Sequence, residues 1–69
     1  MKDNIEKPKN NLRICRLQAG HRFQKAFAEK VGITDQYLSD IENGRATPSF
    51  SVQKTIAEIL GCTIDDLKF

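Results

Sequence analysis

The sequence predicts an all-α protein in which five short helices share one compact domain. Three observations support this class: apolar residues recur at steps of three and four, glycines and capping residues separate the recurring segments, and no segment alternates apolar and polar residues as a strand does. The 69 residues leave room for one hydrophobic core, because two smaller cores would not offset the entropy of ordering the chain.

The N-terminal segment differs in composition from the rest of the chain. Residues 1–9 hold few apolar groups, and their character is set by Lys2, Lys7, Pro8 and Lys9. Such a segment is typical of a loose chain end rather than of a packed element. We therefore divide the chain into a flexible basic arm, residues 1–9, and a folded helical domain, residues 10–69.

The first helix is expected to begin after Asn11. Leu12, Cys15 and Ala19 follow one another at helical steps, which places them on one face. The Asn11 side chain can cap the free amides of the first turn, and Gly20 ends the helix.

The second and third helices follow in close succession, over residues 24–31 and 35–43. Gly32 ends the second helix, and Thr34 is placed to cap the third, which Asn43 and Gly44 close. The inward-facing residues of the two helices are Phe27, Ala28, Val31, Leu38 and Ile41.

The fourth and fifth helices complete the domain. Pro48 forces the preceding residue into an extended conformation, so residues 46–48 are expected to be a loop. The fourth helix is predicted over residues 51–60, with Gly61 as its end, and Thr63 begins the fifth with the spacing of a capping box. The apolar faces of the two helices consist of Val52, Ile56, Ile59, Leu60, Ile64 and Leu67.

Charge is unevenly distributed along the chain. The formal net charge is +2, but residues 1–33 hold eight Lys or Arg and three acids, whereas residues 34–69 hold three bases and six acids. The basic half is the natural surface for a polyanion such as the phosphate backbone of a nucleic acid. A merely solvated basic surface is the alternative that charge alone leaves open.

Composition also argues against several functional classes. No run approaches the about 20 apolar residues that span a bilayer, and no apolar signal segment begins the chain, so we expect a cytoplasmic protein without a membrane partner. Cys15 and Cys62 fall at apolar positions and are expected to be free thiols. With His21 they make an incomplete zinc set, because tetrahedral zinc needs a fourth ligand. We therefore expect no metal, no cofactor, no small-molecule ligand and no enzymatic activity.

The most informative segment is residues 24–43, where two short helices are separated by about three residues. Ala28 leaves space for two helices to cross closely, and Gly32 supplies the left-handed backbone that a tight turn needs. Ile33 then helps to anchor the second helix of the pair, leaving short polar side chains outward. This pattern predicts a helix-turn-helix that reads the base edges of duplex DNA, although helical hairpins with other roles share the spacing.

Motifs along residues 11–67 support that interpretation. They are Leu12-Arg13-x-Cys15-Arg16, Phe27-Ala28-Glu29-Lys30-Val31-Gly32-Ile33-Thr34, Tyr37-Leu38-Ser39-x-Ile41-Glu42-Asn43-Gly44-Arg45, Pro48-Ser49-Phe50 and Ile56-Ala57-x-x-Leu60-Gly61. In this order they closely resemble the phage-repressor-like (Cro and repressor, or Xre-type) helix-turn-helix family of DNA-binding transcriptional regulators.

The resemblance implies a sequence-specific regulator of double-stranded DNA, a repressor, which inserts the third helix into the major groove. The positions that match base-reading residues of the family are Thr34, Asp35, Gln36, Ser39 and Asp40. The candidate phosphate contacts are Gln24, Lys25, Tyr37, Asn43 and Arg45. Gln36 is the strongest candidate base reader, because its amide can bond adenine through two atoms. Arg16 and Glu42 match a structural ion pair that links the first and third helices.

The chain also departs from the family pattern. His21-Arg22-Phe23 is one residue longer than the usual segment before Gln24, which leaves the aim of Gln24 open. Asp35 and Asp40 place negative charge on the surface that would approach DNA. An alternative is therefore a protein–protein interaction module, or an antitoxin-like or antirepressor-like partner, on the same fold.

Two copies of the chain are expected to act together. A domain this small covers too little DNA for high specificity, so we predict a homodimer that becomes firm on a two-fold-symmetric operator. The apolar C-terminal residues that could pair two copies are Ile64, Leu67 and Phe69.

Overall fold

Five α-helices make up the fold in a computed structural model of the chain, which describes residues 10–69. They are α1 (Leu12–Gln18), α2 (Gln24–Val31), α3 (Asp35–Glu42), α4 (Phe50–Leu60) and α5 (Ile64–Leu67). No strand occurs between residues 10 and 69, so the prediction of an all-α, five-helix fold is confirmed. The predicted basic arm, residues 1–9, lies outside the described residues.

A single hydrophobic core joins the five helices. Its buried side chains are Leu12, Phe27, Ala28, Leu38, Ile41, Ile56, Ala57 and Leu67. Every helix supplies at least one of them, because a helix of one to three turns becomes stable in water only when its apolar face packs against other helices. The other predicted apolar positions of α4, such as Val52 and Ile59, are half-buried around this core.

Local capping interactions explain where the later helices begin. The Thr34 side chain accepts a hydrogen bond from the Tyr37 amide at 3.0 Å, as predicted for α3. Ser49 does the same for the Val52 amide at 3.4 Å, so α4 begins at Phe50, one residue earlier than predicted. Asn43, expected as the last residue of α3, is instead its C-cap.

The start of α5 has the predicted capping box. The Thr63 hydroxyl accepts a hydrogen bond from the Asp66 amide, and the Asp66 carboxylate accepts one from the Thr63 amide, both at 3.1 Å. These bonds lower the pKa of Asp66, the bond from the Thr63 backbone having the largest effect. The box satisfies both amides at the start of a helix only one turn long.

The predicted cap of α1 is wrong. Asn11 occupies the N-cap position but makes no side-chain capping bond. The buried neighbour Asn10 accepts the Leu12 amide at 3.0 Å, and its own amide donates to the Ile41 carbonyl at 2.8 Å. Asn10 therefore caps the start of α1 and satisfies a carbonyl of α3 at the same time. Such a bond between residues 31 positions apart leaves no local pattern in the sequence.

The C-terminal end is also tied to α1, and this corrects the predicted pairing surface. The Asn11 amide donates to the Leu67 carbonyl at 2.8 Å, and the Asn11 side chain donates to the Asp66 carbonyl at 3.1 Å. Leu67 is completely buried in the core of its own chain, so it cannot pair two copies. Ile64 and Phe69 remain half-buried and line a surface cavity of about 460 Å³.

Three further observations bear on the cysteines, metal binding and membrane insertion that were considered from composition. Cys15 and Cys62 are half-buried free thiols. No cluster of three or more metal-ligating side chains occurs within residues 10–69. None of the helices described is long and apolar enough to cross a membrane.

Candidate nucleic-acid interface

The turn between α2 and α3 consists of Gly32, Ile33 and Thr34. Gly32 has φ of +92°, a left-handed conformation that a side chain would penalise. The amides of Gly32 and Ile33 both donate to the Ala28 carbonyl, at 2.8 and 3.0 Å. The Thr34 cap fixes the other end of the turn. Hydrogen bonds at both ends therefore determine the orientation of α3 relative to α2.

Close helix contact at this turn depends on a small side chain. Ala28 is 1% exposed, as the predicted close crossing of α2 and α3 requires. Leu38 and Ile41 hold the inner face of α3 against the core, and Ile33 is half-buried beside them. The opposite face of α3 is thereby directed to solvent.

An ion pair under α3 fixes its C-terminal end. Arg16 Nε lies 2.7 Å from Glu42 Oε2, and both side chains are only 5% exposed. A second nitrogen of Arg16 donates to the carbonyls of His21 and Arg22, at 2.8 and 3.2 Å. The guanidinium therefore joins α1, the segment before α2 and α3. The Arg16 side chain therefore stays in one geometry, because the loss of any of these partners would leave part of its buried charge without a hydrogen bond.

Gln24 is directed toward this ion pair. Its side-chain amide nitrogen lies 3.4 Å from Glu42 Oε1. Phe23 precedes α2 without a capping side chain, so the first amides of α2 have no side-chain acceptor within the described chain. Lys25 stands exposed in this first turn. The start of α2 is therefore open to an anion. The side chain of Gln24, the first residue of α2, is directed toward the Arg16–Glu42 pair instead.

The outward surface of α3 consists of the predicted base-reading residues. Thr34, Asp35 and Gln36 are exposed, whereas Ser39 and Asp40 are half-buried. The Gln36 amide nitrogen donates to Asp40 Oδ1 at 3.2 Å, one turn further along the helix. These five side chains therefore form one contiguous polar surface.

Arg45 reaches back to this surface from the loop that follows α3. Its Nε lies 3.1 Å from the same Asp40 oxygen, and its backbone amide donates to the Asp40 carbonyl at 2.8 Å. The Arg45 side chain remains 60% exposed. Asp40 thus pairs with the Arg45 guanidinium at the edge of α3. This ion pair partly compensates the negative charge predicted there.

Asn43 and Tyr37 complete the set of predicted positions. The exposed Asn43 side chain donates to the Ser39 carbonyl at 2.8 Å, and the Asn43 backbone amide donates to the same carbonyl at 3.0 Å. Tyr37 is half-buried and packs against the core. The structure thus brings all ten predicted contact positions to the helix-turn-helix and its borders, and their contacts with DNA stay predictions.

Comparison with known proteins identifies the family. A family model described as helix-turn-helix matches residues 12–67. The chain belongs to the helix-turn-helix family. The resemblance to the Cro and repressor type is confirmed, and the matched range includes all five helices of the fold.

Two curated relatives support this membership. The HTH-type transcriptional regulator DdrOP3 of Deinococcus deserti is 39% identical over 56 residues, covering 81% of this chain and 43% of the relative. The ImmF control region 10 kDa protein of Bacillus phage phi105 is 40% identical over 48 residues, covering 70% of this chain and 53% of the relative. The chain thus spans about half the length of these relatives. No solved structure matches it.

Two features of this helix-turn-helix were not predicted. Asn10 links α1 to α3 from a buried position, and its only signal in the sequence is a capping residue type next to the helix start. The Arg45–Asp40 pair was missed although its opposite charges lie five residues apart. That spacing exceeds the i, i+4 rule for helices, because the chain leaves the helix between the two residues.

Proposed function

We propose that this chain is a sequence-specific, double-stranded-DNA-binding transcriptional regulator, a repressor, that inserts α3 into the major groove. The observation that carries the proposal is the polar outer surface of α3, held rigid by the three-residue turn and the buried Arg16–Glu42 pair. Rigid polar groups lose little entropy when they bind base edges, so they discriminate well between bases.

Base contacts are proposed for the exposed side of α3. The residues are Thr34, Asp35, Gln36, Ser39 and Asp40. Gln36 gives up one surface hydrogen bond, to Asp40 at 3.2 Å, when its amide turns to adenine N6 and N7. In that exchange two hydrogen bonds to the base replace one on the protein surface. The discrimination expected from such a pair is about 1–3 kcal/mol.

Phosphate contacts are proposed for both borders of the helix-turn-helix. The residues are Gln24, Lys25, Tyr37, Asn43 and Arg45. Arg45 supports this best, since it is 60% exposed and sits beside the end of α3. Lys25 is exposed among the uncapped amides at the start of α2, where an anion is favoured. Gln24 contributes only if its amide leaves Glu42.

Asp40 is proposed to position its neighbours rather than to repel DNA. One of its carboxylate oxygens accepts both Gln36 and Arg45, at 3.2 and 3.1 Å. Before DNA binds, it therefore orients one candidate base reader and one candidate phosphate contact together. This pairing reduces the charge conflict that favoured the protein-interaction alternative, and leaves Asp35 as the exposed acid on this surface.

Regulation by a homodimer on a symmetric operator completes the proposal. The names of the two relatives describe a transcriptional regulator and a control-region protein, and we infer the same class of role here. Two copies would place two α3 helices in successive major grooves about one DNA turn apart. With Leu67 buried, Ile64 and Phe69 are the remaining C-terminal apolar candidates for the contact between copies.

Selection of bound duplexes from a random pool, followed by footprinting, tests base preference, symmetry and stoichiometry together. Titration of the selected duplex by fluorescence anisotropy over a salt series then tests individual contacts. The Arg45→Ala variant is expected to bind more weakly and to reduce the salt dependence by about one ion, because each phosphate contact releases counterions. Lys54→Ala, on the exposed side of α4, is the matched control and should leave both unchanged.

Three results would contradict the proposal. An absence of duplex binding at low salt across the whole pool would reject DNA recognition and favour a protein partner. Binding without base preference would reject α3 as a sequence reader. One copy per operator in sedimentation would reject the homodimer.

A further inference from the structure

Phe23, which directly precedes α2, departs in two ways from what the fold favours. It occupies the N-cap position, where serine, threonine, asparagine and aspartate are preferred, and it makes no side-chain capping bond. Its side chain is also 70% exposed, although a phenylalanine gains free energy from burial. A serine at this position would avoid both costs. Residues that break local rules without a gain for the fold are expected at functional sites.

The backbone that carries Phe23 is held on both sides. Arg16, whose guanidinium also pairs with the end of α3, donates to the carbonyls of His21 and Arg22 at 2.8 and 3.2 Å. The His21 ring packs against the buried ring of Phe27, with centroids 5.1 Å apart. The Phe23 carbonyl accepts a hydrogen bond from the Phe27 amide at 3.0 Å. This segment is therefore fixed beside the end of α3, and its two exposed side chains, Arg22 and Phe23, extend from a rigid backbone.

The side chains of Arg22 and Phe23 form one exposed unit. The guanidinium carbon of Arg22 lies 5.8 Å from the centre of the Phe23 ring, within the range of a cation–π contact. The ion pairs formed within residues 10–69 are those of Arg16 and Arg45, so no carboxylate in that part of the chain neutralises Arg22. A nucleic-acid backbone matches such a unit, because it offers phosphate oxygens to the cation and a sugar to the ring.

We propose that Arg22 and Phe23 make a further contact with the DNA backbone, in which the Arg22 guanidinium binds a phosphate and the Phe23 ring packs against the adjoining deoxyribose. The inference rests on the proposed function, and it extends the border of the interface that Gln24 and Lys25 begin. Contacts of this kind position a protein on the duplex and carry no direct base information. Both residues therefore contribute to affinity and not to base preference.

The first test measures binding of the selected duplex by fluorescence anisotropy over a salt series. Arg22→Ala should bind more weakly and reduce the salt dependence by about one ion. Phe23→Ala should bind about 3- to 10-fold more weakly with the salt dependence retained, because it removes apolar contact and no charge. Phe23→Tyr keeps the ring and should bind like the wild type. Lys54→Ala, on the exposed side of α4, is the charge control and should leave binding unchanged.

The second test measures stability, and it separates a role in DNA binding from a role in the fold. Phe23→Ser should raise Tm on the order of 5 °C, because the new hydroxyl caps α2 and the ring that is lost was mostly exposed. Phe50→Ser is the matched control. Phe50 is equally exposed at 70%, but Ser49 already caps α4, so its replacement should not raise Tm. A lower Tm for Phe23→Ser would show that the ring supports the fold, and would overturn the proposal.

The binding results distinguish this inference from the proposed function. If the wild type binds no duplex, both fail. If the wild type binds and Arg45→Ala weakens it as expected, but Arg22→Ala and Phe23→Ala bind like the wild type, only the contact proposed here is overturned. A changed base preference in either variant, measured by repeating the selection, would also overturn it, because a backbone contact cannot select bases directly.

Discussion

Truncation of Glu42 measures how strongly the buried ion pair holds α3. The Glu42→Ala variant removes the carboxylate that lies 2.7 Å from Arg16 Nε, in a site where both side chains are 5% exposed. Breaking a buried pair in this way costs about 3–5 kcal/mol, because the remaining charge stays in a poorly solvated site. The His21 and Arg22 carbonyls still accept bonds from Arg16, so we expect the lower end, about 3 kcal/mol.

Thermal and urea denaturation followed by circular dichroism would measure this loss. In a domain of this size each kcal/mol lowers Tm by about 4–8 °C, so Glu42→Ala should melt about 12–24 °C lower than the wild type. Glu58→Ala is the matched control. Glu58 is exposed on α4, and its removal should change the free energy of unfolding by no more than about 0.5 kcal/mol.

A second substitution separates the charge from the packing. Arg16→Met in the Glu42→Ala background should recover part of the lost stability, because no unpaired charge then remains in the site. Equal losses for Glu42→Ala and Glu58→Ala would refute the assignment of a buried structural pair. Failure of Arg16→Met to recover any stability would show that the stranded charge costs no more than the lost bonds from Arg16 to the His21 and Arg22 carbonyls.

Three smaller predictions concern the helix ends. Gly32→Ala should lower the free energy of unfolding by about 1–2 kcal/mol in urea denaturation, because φ at this position is +92°. The space around the new Cβ is open, so the backbone conformation is the only source of the loss. An unchanged denaturation midpoint would contradict this. Thr34→Ala should lower the free energy of unfolding by about 1 kcal/mol, because the cap of α3 is lost. Thr47→Ala, on the exposed loop, should lower it much less. Equal losses would argue against the cap. The bonds with Thr63 lower the pKa of Asp66 below its ordinary 3.8, so their stabilisation is complete above that pH and is lost as pH falls through the lower folded-state value. Asp66→Asn should therefore reduce the acid-dependent loss of stability in a pH series, and an identical acid dependence would exclude the effect.

Most helix limits could be predicted because their causes are local. Gly32 and Gly61 end α2 and α4 in left-handed conformations, and Thr34 and Thr63 cap the helices that follow them. Each of these interactions acts within a few residues, so residue type and spacing are enough to locate it. The start of α4 was missed by one residue because two serines, Ser49 and Ser51, could each have capped it.

The candidate interface was predictable in part. Residue type and spacing predicted that Gln36 and its neighbours lie on one surface of α3, and they lie there in the structure. The directions of their polar groups were not predictable, because a long side chain selects its partner from whatever surrounds it in three dimensions. Gln24 therefore turns toward Glu42, and Asp40 holds Arg45, without any fixed pattern in the sequence.

The sequence by itself determined an all-α chain, the order of its five helices and the left-handed turn at Gly32. Periodicity, caps and glycine freedom act over a few residues, so they are written in neighbouring positions. Only the tertiary structure decided that Asn10 bonds the end of α3, that Leu67 lies in the core, and that Asn11 bonds the Leu67 carbonyl. These contacts join residues tens of positions apart, and they exist only because burying the apolar faces of all five helices together brings the ends of the chain side by side.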